Sequence, residues 1–181
     1  MNARRLQALA AVAAAAALAI AAHAEAQTVT VVTSPATDAP DLDRVVVVGG
    51  GATVFGIDAA TGAVTRLSGA AIRLTTASAT TPTVSISCSG DVSACASQSM
   101  QVSISAVGGA GDADFTQFSV SNLSNATFMG GAPAPAASLN FSLNPIGALT
   151  ATFSLGARVS VSGTAASGPH SYSYLVSASL L

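Results

Sequence analysis

The sequence predicts an all-β domain, a sandwich or barrel of short antiparallel strands. Three observations carry that prediction. Apolar and polar residues alternate with period two through many short runs, as they do on half-buried strands. Turn signals rich in Gly, Pro, Asn and Asp separate these runs roughly every 8–12 residues. Beyond the first 26 residues, no stretch carries the broad apolar stripe of an amphipathic helix.

Residues 1–26 read as a cleaved signal peptide. Arg4 and Arg5 supply a positive start, and Leu6 to Ala22 is apolar except for Gln7. Ala22-His23-Ala24 and Ala24-Glu25-Ala26 are both small-x-small cleavage sites. Cleavage after Ala26 leaves Gln27 as the new N-terminus, with Ala24 as the alternative site. A retained anchor fits less well, because the span is short, Ala-rich and ends in cleavage motifs. Residues 27–181 then form one domain, with no later span apolar enough to cross a membrane as a helix. The expected location is the periplasm, the cell surface or the medium.

The mature chain opens on a β-branched segment, residues 27–34, in which Val29, Val31 and Val32 are candidate donor-strand residues. Residues 34–43 hold Pro35, Pro40 and three aspartates and read as a loop. Arg44 to Val48 reads as a strand broken by Gly49-Gly50-Gly51. Ala52 to Ile57 resumes it, and Asp58 to Gly62 is a turn. Ala63 to Leu67 and Ala70 to Thr76 follow as extended segments.

The central pair comes next. Val84-Ser85-Ile86-Ser87-Cys88 and Val102-Ser103-Ile104-Ser105-Ala106 alternate cleanly, with Cys95 between them. They look like an antiparallel pair whose connection is closed by a Cys88–Cys95 disulfide, at the edge of the core because Cys88 shares the parity of Val84 and Ile86. Two cysteines with no nearby histidine cannot complete a tetrahedral zinc site, and an exported chain favours their bonding.

After a Gly-rich turn, Phe118 and Val120 are the inward parity of the next strand, with Phe115 and Gln117 on the other. Ala126 to Met129 is short. Leu139 to Leu143 alternates cleanly. Leu149, Ala151, Phe153 and Leu155 share a face, and Arg158 to Ser162 is either a continuation or a separate strand. The last strand puts Tyr172, Tyr174, Val176 and Ala178 on one face. The expected core is Val84, Ile86, Val102, Ile104, Phe118, Val120, Phe141 and Phe153.

Composition narrows the function classes. Charged residues make up 8% of the chain, against about 25% in ordinary soluble proteins. Lysine and tryptophan are absent. Residues 27–181 carry four arginines and seven aspartates, a net charge of −3 (4 − 7). Such a chain does not suit a polyanion, so nucleic acid is not an expected partner.

No catalytic, cofactor or metal site is expected. Val45 to Gly51 looks like the strand and glycine turn of a dinucleotide site, but the helix-opening glycine is missing and Thr53-Val54-Phe55 favours a strand. A glycine bulge or hairpin between two strands is the better reading. Asp38, Asp41 and Asp43 cluster in one loop, and Asp112 and Asp114 in another. Neither has EF-hand spacing, and solvated turns account for both. His170 is the only histidine after the leader and reads as an exposed loop residue. No Gly-x-Ser-x-Gly elbow occurs. A transmembrane barrel would need strands of about 9–11 residues and aromatic girdles. Most runs here are shorter, and the six Phe and two Tyr are scattered.

Several short motifs carry a family resemblance. They are the Ala-rich leader, Asp41-Leu42-Asp43, Thr61-Gly62-Ala63-Val64-Thr65, the Thr83–Cys88 strand and Ser171-Tyr172-Ser173-Tyr174-Leu175-Val176. With these, residues 27–181 resemble a family of small secreted alphaproteobacterial proteins defined by a domain of unknown function. That family is similar to the major subunits of Mat/Ecp-type common pili and to spore-coat-U-like domains. One departure stands at Arg44-Val45, where the family carries Phe-Gly. The resemblance implies an immunoglobulin-like β-sandwich and a surface or fimbrial role, and it supplies no catalytic residues.

Two functions follow as expectations. The first is an exported, non-enzymatic structural subunit that assembles with copies of itself or other surface subunits by β-strand addition through Thr28–Thr33. The second is a secreted glycan- or protein-binding module with an exposed patch at Tyr172 and Tyr174.

Overall fold

The structure, a computed structural model, describes residues 27–35, 40–108, 112–170 and 172–181. The leader with Ala26, and Asp38, lie outside the described residues. The fold is all-β, built from antiparallel sheets packed as a sandwich, with one disulfide.

The larger sheet is organised on β11 (Thr150–Val161), a single 12-residue strand. One edge of β11 pairs with β8 (Ala113–Ser124) from Thr152 to Val161. Its other edge is divided. β6 (Thr83–Ser89) takes Thr150 to Ser154, and β3 (Thr53–Ile57) takes Ala157 to Val161. β1 (Thr28–Ser34) extends the sheet beyond β6, and β4 (Val64–Ser68) extends it beyond β3. The segment after Leu155 is therefore a continuation of the strand. Leu149, expected on its buried face, lies outside it and is exposed.

The second sheet has the order β12 (Ser173–Leu180), β7 (Met100–Val107), β10 (Ser138–Leu143), β9 (Phe128–Met129). A two-residue ladder joins β2 (Val45–Val46) to β5 (Ile72–Arg73). The extended segments expected at Arg44–Val48 and Ala70–Thr76 shrink to these pairs. Gly49–Gly51 form neither a bulge nor a hairpin, because the strands on either side of them pair elsewhere.

Val84, Ile86 and Phe153 from the first sheet share one apolar cluster with Val102, Ile104 and Phe141 from the second. The Phe141 and Phe153 rings meet across the gap with centroids 5.8 Å apart. Seven of the eight expected core residues are buried, and Val120 is half-buried against the cluster.

The central stretch differs from the expected hairpin in two ways. β6 and β7 do not pair with each other. β6 pairs with β1 and β11, while β7 pairs with β10 and β12. Period-two alternation reports that each strand has one buried face, and strands in opposite sheets satisfy it equally. The connection between them also contains a short helix, α1 (Val92–Ser97). Asp91 caps it, its carboxylate accepting from the backbone N–H groups of Ser93 and Ala94. Six residues are too few to show a helical period.

β8 also departs from the expected alternation. Phe115 and Phe118 are of opposite parity, yet both are buried. A register shift against β11 between Arg158 and Val159 explains this, because Phe115 pairs with Val159 while Gln117 pairs with Arg158. The extra residue, Thr116, turns outward and resets the alternation.

Candidate functional site

The disulfide forms between Cys88 at the end of β6 and Cys95 in α1, with Cα atoms 5.9 Å apart. Cys95 is buried and Cys88 is half-buried at the margin of the core, as parity requires. The bond holds the chain where it crosses from one sheet to the other. Gly147 N–H donates to the Cys95 carbonyl, which ties the β10–β11 connection to the same corner.

Tyr172 and Tyr174 do not form an exposed patch. They are 4% and 2% exposed. Both rings share the inward parity of β12 and pack edge-on against Phe115, at centroid distances of 4.7 and 5.8 Å. The shared face expected from the sequence is present, but it is the core face. The Tyr172 hydroxyl accepts a hydrogen bond from Leu42 N–H at 2.9 Å. Burial pushes its ionisation well above the ordinary phenol range. Burial likewise pushes Tyr174 up to about 12, with the Thr33 hydroxyl opposing part of the rise.

The candidate donor strand lies in the molecule's own sheet. β1 pairs with β6 in antiparallel register from Thr28↔Ser89 to Ser34↔Thr83. Val29 and Val31 are turned inward and half-buried. Val32 is on the opposite face and 55% exposed, because it breaks the alternation set by Val29 and Val31. β1 ends its sheet, so its outer edge has no strand partner among the described residues. It packs beside β12 at the corner of the sandwich.

The outer face of the β1–β6–β11–β8 half carries a pattern that strand-by-strand parity could have shown. Register sets Thr30, Ser87 and Thr150 side by side. Val32, Ser85, Thr152 and Ser124 form the next row. Ser34, Thr83, Ser154 and Ser121 form the one beyond. No charged or aromatic side chain stands in these rows.

Asp41, Asp43, Asp58 and Asp91 serve local structure. Asp58 accepts from the Thr61 hydroxyl at 2.7 Å and from Ala60 and Thr61 N–H groups. The Thr61 hydroxyl is the main reason its carboxyl titrates below the usual range. The Ser93 hydroxyl does the same for Asp91. Asp41 accepts from Asp43 N–H, and Asp43 meets Arg73 at 3.3 Å. Among the described residues no three metal-ligating side chains converge.

Arg73 is the charged residue that sequence reasoning passed over. Its side chain is only 7% exposed. Nε donates to Leu42 O at 2.8 Å, and Nη1 donates to Ala77 O at 2.6 Å. With Arg66, Phe55 and Val64 it borders a cavity of about 560 Å3. Arg66 donates to Ala71 O at 3.2 Å, so both guanidinium groups brace the wall of that cavity. His170 was expected to be exposed. It is half-buried, and its Nε2 is enclosed with no hydrogen-bond partner among the described residues.

Among the described residues no helix is long and apolar enough to cross a membrane. Compared with known proteins, the chain matches no family model, no curated protein and no solved structure.

Proposed function

We propose that this chain is an exported structural subunit of a surface or fimbria-like assembly, without enzymatic activity, joined to its neighbours by β-strand addition. The observation that supports the reading most is the placement of β1. It is an edge strand at the sandwich corner, held by one ladder and two half-buried valines. A copy of the same strand from a neighbour would make the same seven register pairs with β6. The disulfide suits an oxidising compartment outside the cytosol. The resemblance to pilus-type subunits points the same way.

Because the contacts would be equivalent within one chain and between chains, concentration and linkage decide between them. A tethered strand sees an effective concentration on the order of millimolar. Exchange therefore needs crowded subunits, or a partner that holds β1 away during assembly.

A Ser34→Cys/Thr83→Cys pair tests the reading, because these residues are opposite each other at the end of the ladder. The bond would hold β1 in its own sheet. Wild-type cells should show surface fibres by electron microscopy, and cells making the locked protein should not. Fibres from the locked protein, or no fibres from the wild type, would sink the reading.

A further inference from the structure

Four arginines follow residue 26, and two of them, Arg66 and Arg73, border the cavity of about 560 Å3 lined by β4 and the segment that carries β5. Among the described residues no aspartate lines it. Two other cavities, of about 330 and 370 Å3, differ in this respect. The first sets Asp58 in the same lining as Arg158, and the second has Arg44 as its single cation. The larger cavity is thus a local concentration of positive charge on a chain that is negative overall.

The two guanidinium groups are not equivalent. Arg73 is nearly buried, and its nitrogens are engaged by Asp43 and by the carbonyls of Leu42, Thr75 and Ala77. Arg66 is exposed, and only its Nη1 is engaged, donating to the carbonyls of Ala70 and Ala71 at 3.5 and 3.2 Å. Among the described residues its Nε and Nη2 meet no acceptor, and no carboxylate pairs with it. Those two nitrogens form the edge on which a guanidinium takes a carboxylate through two parallel hydrogen bonds. The lining beside Arg66 is apolar. Phe55 and Ala71 are buried, Val64 is half-buried, and Ile72 is 51% exposed. The volume falls among those of small-molecule sites, which run from about 300 to 1,000 Å3.

We infer that this cavity binds a small organic carboxylate with an apolar body. The carboxylate sits on the Nε–Nη2 edge of Arg66, and the body lies against Phe55, Val64 and Ile72. A bare inorganic anion would leave the apolar lining unused, and an uncharged apolar molecule would leave the guanidinium edge unpaired. Asp43 does not compete for the site, because it is held by Arg73. No residue of β1 or β6 lines the cavity, so binding there stands apart from the assembly mode proposed above.

Titration of the purified protein with octanoate at neutral pH, followed by calorimetry and by NMR shift mapping, tests this. Octanoate should bind with a Kd on the order of 0.1–1 mM and should shift the amide signals of Phe55, Ile72 and Thr76. Octanol, acetate and inorganic phosphate should each bind at least about tenfold more weakly. Three variants, their folds checked by circular dichroism, locate the charge that matters. Arg66→Gln should weaken octanoate at least about tenfold and change octanol far less. Ile72→Asp puts a like charge in the lining without touching Arg66, and it should weaken octanoate to a similar degree. Arg158→Gln removes an exposed cation from another cavity and should leave octanoate binding unchanged. No binding by the wild type at about 10 mM octanoate overturns the inference. Octanol, acetate or phosphate binding as tightly as octanoate overturns it too. So does octanoate affinity that survives both Arg66→Gln and Ile72→Asp, or that falls as far on Arg158→Gln as on Arg66→Gln.

Discussion

Leu42 N–H donates to the Tyr172 hydroxyl across 130 positions of sequence, at 2.9 Å and within the core. Tyr174 lies two residues on and is equally buried, but its hydroxyl has no partner of ordinary hydrogen-bond geometry among the described residues. Two tyrosines of the same parity, one just before β12 and one within it, thus do different work. Tyr172 fastens the segment before β2 to the core, whereas Tyr174 mainly fills space.

Substitution should separate them. Tyr172→Phe leaves a buried N–H without an acceptor, and it should cost about 1–3 kcal/mol in urea unfolding. Tyr174→Phe removes a buried hydroxyl that lacks a well-formed bond, so it should be neutral or slightly stabilising. Equal losses from the two variants would contradict this division.

The same pair makes the fold sensitive to alkali. Both phenols titrate above their unfolded value of about 10, Tyr174 at about 12 and Tyr172 higher still. Below pH 10 both states keep the proton and the contribution is intact. Above it the unfolded chain releases protons that the native state holds. Stability should therefore fall by up to about 1.4 kcal/mol per pH unit for each tyrosine, from about pH 10 to 12. Urea midpoints measured across that range should show the slope, and Tyr174→Phe should reduce it.

Arg73 and Asp43 form an ion pair whose two ends differ in importance. Arg73 also donates to the carbonyls of Leu42, Thr75 and Ala77 from a nearly buried position. The Asp43 side chain is 59% exposed. Arg73→Met should cost about 2–4 kcal/mol, since it strips several carbonyls of their donor. Asp43→Asn should cost less than about 1 kcal/mol, as exposed ion pairs do. If the two thermal shifts were similar, the carbonyl contacts would not be what matters.

Gly156 lies where the turn after β3 crosses β11. A Cβ there would stand 2.6 Å from both the Ile57 carbonyl oxygen and the Ala59 nitrogen. Gly156→Ala should destabilise by about 1–3 kcal/mol through overpacking. Gly108→Ala, where a Cβ meets nothing within 4 Å, should stay within about 0.5 kcal/mol of the wild type. Chemical denaturation of the two variants side by side checks the contrast.

Much of the fold was legible because local chemistry and tertiary environment agree. Alternation identified β6, β7, β10 and β12, and the shared parity of Cys88, Val84 and Ile86 located the disulfide at the core margin. Strand partnership was not legible. Alternation at Val84–Cys88 and Val102–Ala106 says that each strand buries one face, without saying in which sheet. The parity of β8 failed at Thr116 because a bulge is a property of two strands, and one strand's sequence does not contain it. Tyr172 and Tyr174 were placed on a common face, but whether that face is wet depends on what covers it. Phe115 does, from a strand some sixty positions earlier. The hydroxyl face was available in principle. Its signal is the outward parity of Ser and Thr in β1, β6 and β11, and it becomes a surface only once register aligns those strands.

The divided edge of β11 sets an order of assembly. β3 and β6 both complete their pairing on this one strand, β3 through Ile57↔Ala157 and β6 through Ile86↔Ala151. Before β11 emerges, a chain delivered N-terminus first can form only the isolated ribbons β1–β6 and β3–β4 from the larger sheet. Such two-stranded ribbons are marginal in water. Nearly the whole chain must therefore arrive before the larger sheet can close, so the leading half stays loose and the fold is committed late.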